Sequence, residues 1–254
     1  MNNVNTTEDL LGFGVWAAGL PALGRLWEEH LEQGQDCRWI ACLNPHSYVT
    51  ALDDAPFLCA LQQADWLLPD GVGIVLASRW QRGRICSRIT GFDAFSSINR
   101  MLDRREGRVF FLGASESTLD LICQRMARDY PHVHLVGRLS PPFKASFSDD
   151  DVAQMLAAIN NSGADVLWVA MTAPKQEKWI QAHAAQLDVK LIGAVGAVFD
   201  FYAGTVKRSP PIFQRLGLEW LPRVVRAPRR LWRRMLVSAP IFVWHAMKAA
   251  LQRR

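Results

Sequence analysis

DVLWVAMTAPKQEKWI, at positions 165–180, decides how the chain is read. Its first part, Val166 through Met171, is an apolar run with no polar alternation, which fits a strand buried on both faces. Thr172-Ala173-Pro174 then breaks the run, and Lys175-Gln176-Glu177 opens a helical stretch that continues to about Leu187. The same alternation recurs along the chain. Apolar runs stand at 39–43 (WIACL), 66–68 (WLL), 109–112 (VFFL), 133–136 and 189–195 (VKLIGAV), with helical stretches near 73–80, 92–102, 117–130 and 150–161. The pattern predicts an α/β, Rossmann-like fold, a mostly parallel sheet covered by helices. Ligands of such sheets bind beyond the carboxyl ends of the strands. The residues that follow the runs are small or polar: Asn44-Pro45-His46, PDGVG at 69–73, Gly113-Ala114-Ser115, TAPKQE at 172–177 and GAVFD at 196–200.

Each of these positions has a functional reading and a plain one. Gly113-Ala114-Ser115 lets backbone N–H groups approach a phosphate at a helix N-terminus, or is a tight turn capped by Ser115 or Ser117. The dinucleotide fingerprint GxGxxG is absent, which weighs against an NAD enzyme. Asp70, at a strand end among glycines, is a candidate general base, or the cap of the next helix. Arg88 pairs with Asp70 or a phosphate, or is an ordinary surface arginine. Gln176 offers a donor and an acceptor to a sugar or base edge, while Glu177 also suits a helix's first turn. The six histidines show no HExxH and no metal-ligand spacing.

Charge is distributed unevenly. Positions 205–254 hold twelve Lys/Arg and one acidic residue, a net +11, against a net −6 for 1–204. The division reads as an acidic, Rossmann-like core at 1–204 and a basic amphipathic appendage at 205–254, and the appendage implies a polyanionic partner. Arg223, Arg226, Arg230, Arg233 and Arg234 fall within about a 100° arc of an ideal helix, although Pro222 and Pro228 start or bend helices there. Leu231, Trp232, Met235 and Leu236 lie beside them, the composition of an interfacial helix on anionic lipid. Each basic residue near such a surface contributes ~1 kcal/mol. The longest charge-free stretch near the tail, 235–247, is thirteen residues with Pro240 inside it, short of the roughly 20 that a span needs. The first sixteen residues lack a basic segment followed by an apolar core, so no secretory signal is expected. Five cysteines without a CxxC point to reduced thiols in the cytosol and away from a structural zinc site.

Several segments, in order, carry a likeness to a family. They are Asn44 after the first core strand, PDGVG at 69–73, RITGFD at 88–93, FFLGA at 110–114, APKQEKWI at 173–180, GAVFDFYAGTVKRSP at 196–210 and GLEWLPR at 217–223, followed by Pro228-Arg229-Arg230. From about residue 11 to 234 the chain resembles the WecG/TagA/CpsF glycosyltransferases, glycosyltransferase family 26. The resemblance implies an inverting, metal-independent transferase without a cofactor. It would move a sugar from a UDP-sugar to a polyprenyl-diphosphate-linked sugar, as a peripheral protein on the cytoplasmic face of the membrane. It implies Asp70 as general base, Asn44, Arg88 and Gln176 as polar pocket residues, and Gly113 and Glu177 in the substrate-binding set. Asp200 and Phe143 match ribose and uracil contacts, and Arg223, Arg230 and Arg233 match diphosphate contacts on an appendage that docks on the membrane. A homo-oligomer is compatible with it and a nucleic-acid partner is not expected. Cys42 stands where some members have Thr. NPHSY at 44–48 and SPPFK at 140–144 are similar to members from exopolysaccharide clusters, including glucosyltransferases. On the residues alone two other classes stay open, a non-catalytic nucleic-acid-binding protein using the basic tail and a different Rossmann-like enzyme.

Overall fold

The computed structural model describes residues 6–207, 209–210, 213 and 233–252. In chain order its elements are β1 (Thr7–Leu10), β2 (Phe13–Trp16), α1 (Gly19–Gln33), β3 (Arg38–Leu43), α2 (Pro45–Leu52), α3 (Ala55–Gln63), β4 (Trp66–Pro69) and α4 (Val72–Trp80). They continue with α5 (Gly91–Arg104), β5 (Arg108–Gly113), α6 (Glu116–Asp129), β6 (His134–Leu139), α7 (Asp149–Asn160), β7 (Val166–Ala170), α8 (Lys175–His183), β8 (Leu191–Ala194), α9 (Val198–Ala203) and α10 (Ala239–Gln252). A π-helical turn at Arg233–Ser238 leads into α10. The strands form a sheet in the order β1-β2-β4-β3-β8-β7-β5-β6. The β2–β4, β3–β8, β7–β8, β5–β7 and β5–β6 pairs are parallel, and the β1–β2 hairpin is antiparallel. The fold is the α/β, Rossmann-like arrangement expected from the alternating runs.

The chain divides into two units. The first comprises Met1–Leu20, Cys42–Thr90 and Lys207–Arg254. Its N-terminal hairpin had no counterpart in the apolar runs. Leu10 pairs with Phe13, so the turn is the two residues Leu11 and Gly12, both at positive φ (57° and 86°). That is the primed turn whose twist suits a tight hairpin. Helices α2 and α3 begin at strong start signals. Asn44 and Asp54 are the caps, and a proline stands in the first turn of each helix. The buried face of α10 is Phe242 and Ala246, and this helix packs on α2 and α4.

The second unit comprises Pro21–Ala41 and Gly91–Val206. Strand β7 is buried at all five positions and β8 at all four, as runs without polar alternation require. Phe95 sits at the centre of an aromatic cluster with Phe111, Trp168 and Tyr202. Within this unit the chain leaves β5 for β6 on one side and returns to β7 on the other. The winding therefore reverses between β5 and β7, the kind of point where α/β sheets place ligands.

Candidate active site

In the first unit, two backbone hydrogen bonds bring three of the expected residues together. Asp70 N donates to Leu43 O (2.8 Å) and Ile89 N donates to Pro69 O (2.9 Å). The ends of β3 and β4 and the segment carrying Arg88 thus lie side by side, with Asn44, Asp70 and Arg88 at neighbouring positions, each half-buried. Asn44 is the cap of α2. Its Oδ1 accepts from His46 N (3.0 Å) and Ser47 N (2.9 Å), and Ser47 Oγ accepts from Asn44 N (2.8 Å). The carbonyl half of this amide is thereby committed to the backbone. Its NH₂ donates to none of the described residues and is the half left for a ligand.

The capping alternative for Asp70 does not hold. The cap position of α4 is Gly71, at φ 97°, and no side chain caps that helix. The carboxylate stands one residue outside the helix, beside its N-terminal end. Glycine is required at 71 because a side chain at that φ is strained. A residue that sequence reading passed over organises the approach to Arg88. Glu8, on β1, is buried, and its Oε2 accepts from Ser78 Oγ (3.0 Å), Arg84 N (2.5 Å) and Ile85 N (3.2 Å). The carboxylate thereby fixes the turn that precedes Arg88. One of two adjacent acidic residues in a short polar strand, Glu8-Asp9, carries no signal of this.

In the second unit, Gln176 and Glu177 open α8 and are both buried. Gln176 Oε1 accepts from Met171 N (3.2 Å) and Gly196 N (3.1 Å), and its Nε2 donates to Glu177 Oε1 (2.8 Å). The side chain ties the end of β7 to the end of β8, and one amide hydrogen remains. Glu177 Oε2 is buried and has no hydrogen-bond partner among the described residues, and burial pushes this carboxyl above its ordinary range. Gly113, at φ 117°, ends β5; a Cβ there would lie 2.2 Å from Ala170 O. Only glycine allows the two strand ends to approach so closely. Ser115 is the cap of α6, accepting from Thr118 N at 3.2 Å. Asp200 lies in the first turn of α9, and its carboxylate makes no hydrogen bond to a described residue. Phe143 is fully exposed on the loop after β6. Further along that loop, Lys175 Nζ donates to Lys144 O (2.6 Å) and lies 3.5 Å from the Phe147 ring centroid. Lys144 itself pairs with Asp151.

Arg223 and Arg230 lie outside the described residues. So does the side chain of Arg233, whose backbone starts the π-helical turn. Among the described residues no three His, Cys, Asp or Glu side chains are grouped so as to hold a metal ion, and no helix is long and apolar enough to cross a membrane.

The sequence profile of the glycosyl transferase WecG/TagA/CpsF family matches residues 8–254. This chain belongs to that family. It is similar to the N-acetylglucosaminyldiphosphoundecaprenol N-acetyl-beta-D-mannosaminyltransferase of Bacillus spizizenii strain W23, 33% identical over 219 residues, covering 86% of this chain and 82% of the relative. The protein of the same name from Bacillus subtilis strain 168 is 30% identical, covering 82% and 78%. That from Staphylococcus aureus strain MW2 is 28% identical, covering 83% and 80%. As a WecG/TagA/CpsF protein the chain is a glycosyltransferase, and the strand-end residues described above lie within the matched span.

Proposed function

We propose that this glycosyltransferase moves a hexose of the N-acetylmannosamine or glucose type from a UDP-sugar to a polyprenyl-diphosphate-linked saccharide. It would do so with inversion and without a metal or cofactor, in the synthesis of a bacterial exopolysaccharide or other surface polysaccharide. The names of the relatives favour the N-acetylmannosamine donor and an N-acetylglucosaminyl-diphosphate-lipid acceptor. One observation carries the catalytic assignment: Asp70 is held at the end of β4 beside Asn44 and Arg88, and it is not used as a helix cap. A carboxylate so placed serves as a general base.

In this mechanism Asp70 takes the proton from the acceptor hydroxyl, often the 4-OH. That oxygen attacks the anomeric carbon from the face opposite UDP, and the glycosidic bond to the diphosphate breaks in the same displacement. Charge develops on the leaving diphosphate. Arg223, Arg230 and Arg233, with helix N-terminal N–H groups, stabilise it in place of a metal ion. The side chains of Asn44 and Arg88 orient the substrates, and Gln176 braces the ends of β7 and β8. Asp200 and Phe143 take the ribose and uracil.

On this reading the enzyme works as a peripheral protein on the inner face of the plasma membrane, where it would meet a lipid-linked acceptor. The outward side of α10 supports this reading, since Trp244, Met247 and Leu251 are exposed there and Ile241 and Val243 are partly exposed on its flanks. Basic residues next to such a face suit an anionic bilayer surface.

The test is a donor screen with UDP-glucose, UDP-N-acetylmannosamine and its uronic acid, each against short-chain lipid-diphosphate sugars. One donor should be turned over with inversion in the presence of a chelator. With that pair, Asp70→Asn should lower kcat by about 10²–10⁴, the range for loss of a positioned base. Near-normal turnover by Asp70→Asn would remove the assignment.

A further inference from the structure

The sequence reading left the histidines without a role, yet two of them bind α10 to the helix that begins at Asn44. His46 Nδ1 shares a hydrogen bond with Ser238 Oγ (2.8 Å), and Tyr48 OH shares one with His245 Nδ1 (2.8 Å). The first bond stands closer to the site. His46 is two residues from Asn44, and its backbone N–H is one of the two that Asn44 Oδ1 accepts. Ser238 is buried and is the last residue of the turn that begins at Arg233. The bond therefore joins the capped end of α2 to the point where the arginine-bearing segment passes into α10.

A second contact from the same helix reaches the start of α4, just after Asp70. Gly73, three residues after Asp70, has no room for a side chain. A Cβ there would lie 2.7 Å from Pro45 Cγ and 3.6 Å from Phe242 Cε1. Pro45 follows Asn44, Gly73 stands in the first turn of α4, and Phe242 is buried on α10. The ring of Phe242 also packs edge-on against Tyr48, with centroids 5.4 Å apart. One face of α10 thus closes on α2 and the start of α4 together, four residues from Asn44 at Tyr48 and three from Asp70 at Gly73.

We propose that His46 and Ser238, supported by the Pro45–Gly73–Phe242 junction, are positioning residues that hold Asn44 and Asp70 in register for transfer. Neither touches substrate. They act by fixing the ends of the two helices whose preceding residues do. Misplacing a reacting group by about 1 Å can cost 10²-fold, and supporting hydrogen bonds are what keep a site within that tolerance. The proposal rests on Asn44 and Asp70 being the reacting side of the site.

The experiment compares steady-state turnover of full-length wild type, Ser238→Ala, His46→Ala, Ser238→Thr and Asp70→Asn, each checked for folding by thermal denaturation. Loss of the hydroxyl or the imidazole should lower kcat by about tenfold or more, leave KM for the UDP-sugar within twofold, and leave Tm close to wild type. Ser238→Thr keeps the hydroxyl and should restore kcat to within about threefold. Unchanged kcat in both alanine variants overturns the proposal. So does a loss of kcat that follows Tm and that Ser238→Thr fails to restore, since that marks a merely structural contact. Asp70→Asn separates the two readings: if it keeps turnover, the proposed site fails. If it abolishes turnover while both alanine variants match wild type, only the positioning role fails.

Discussion

Gln176 and Glu177 show how a side chain chosen for its chemistry is employed by the backbone. Gln176 spends its carbonyl on two N–H groups and one amide hydrogen on Glu177. Glu177 is left with a buried oxygen that no described residue satisfies, an arrangement that favours the protonated acid. Its pH consequence has a definite sign. The folded-state pKa is raised by burial above an unfolded value near 4.3. Between those two values the native chain holds a proton that the unfolded chain has released, so this group's contribution falls as pH rises through that window. Glu177→Gln removes the titration and keeps an acceptor for Gln176. Melting curves across pH 4–8 should show the variant gaining on wild type as pH rises. A stability difference that does not change with pH would mean the carboxyl does not titrate abnormally. Sequence made Gln176 and Glu177 visible as the polar opening of α8, but not as a brace. The two N–H groups that Gln176 satisfies belong to Met171 and to Gly196, which is distant in sequence, and local spacing carries no record of such a closure.

Among the elements, α10 makes the strongest physical demand. Phe242 and Ala246 are buried on its inner side, while Trp244, Met247 and Leu251 stay exposed on the other and Ile241 and Val243 are partly exposed on its flanks. A helix apolar on both sides leaves one face to be covered by something else. Trp244→Ser combined with Met247→Ser should leave Tm almost unchanged, since these side chains are 67% and 51% exposed. Burying a large apolar side chain is worth about 1.5–3 kcal/mol, so the pair should weaken co-sedimentation with anionic vesicles by at least about tenfold. Vesicle binding that survives the double change would place the lipid contact elsewhere. The elements were unevenly legible. Continuous apolar runs announced β3, β4, β5, β7 and β8 because burial on both faces leaves no alternation to misread. The half-buried edge strand β6 was found only roughly, from 133–136 against His134–Leu139. The β1–β2 hairpin was missed because its turn puts Leu11 at φ 57°, a conformation leucine rarely adopts. The caps of α2 and α3 were in plain view as Asn44-Pro45 and Asp54-Ala55-Pro56, a start signal that the emphasis on strand ends passed over.

On the scale of the molecule, the basic tail does more than attract anions. Its net +11 at 205–254 reads alone as a basic docking appendage, and on that view removing everything from Pro222 onward would spare the rest of the chain. The contacts of α10 argue otherwise. Truncation at that point deletes Phe242 and Ala246 from their packing on α2 and α4 and takes the partners of His46 and Tyr48 away. Loss of a buried aromatic side chain alone costs about 3–5 kcal/mol. The truncated chain should therefore lose transfer and also melt well below wild type, so its inactivity would not isolate the arginines. Replacing Arg223, Arg230 and Arg233 by Gln in the full chain does isolate them, because α10 and its contacts stay. The expected result is a wild-type Tm, an undiminished thermal shift with UDP if the donor diphosphate is held mainly by the helix N-terminal N–H groups, and kcat lowered by about 10²-fold or more, the scale for losing electrostatic stabilisation of a leaving group. A triple variant with normal turnover would reduce the arginine stripe to lipid attraction, which about 1 kcal/mol per charge near an anionic surface already accounts for.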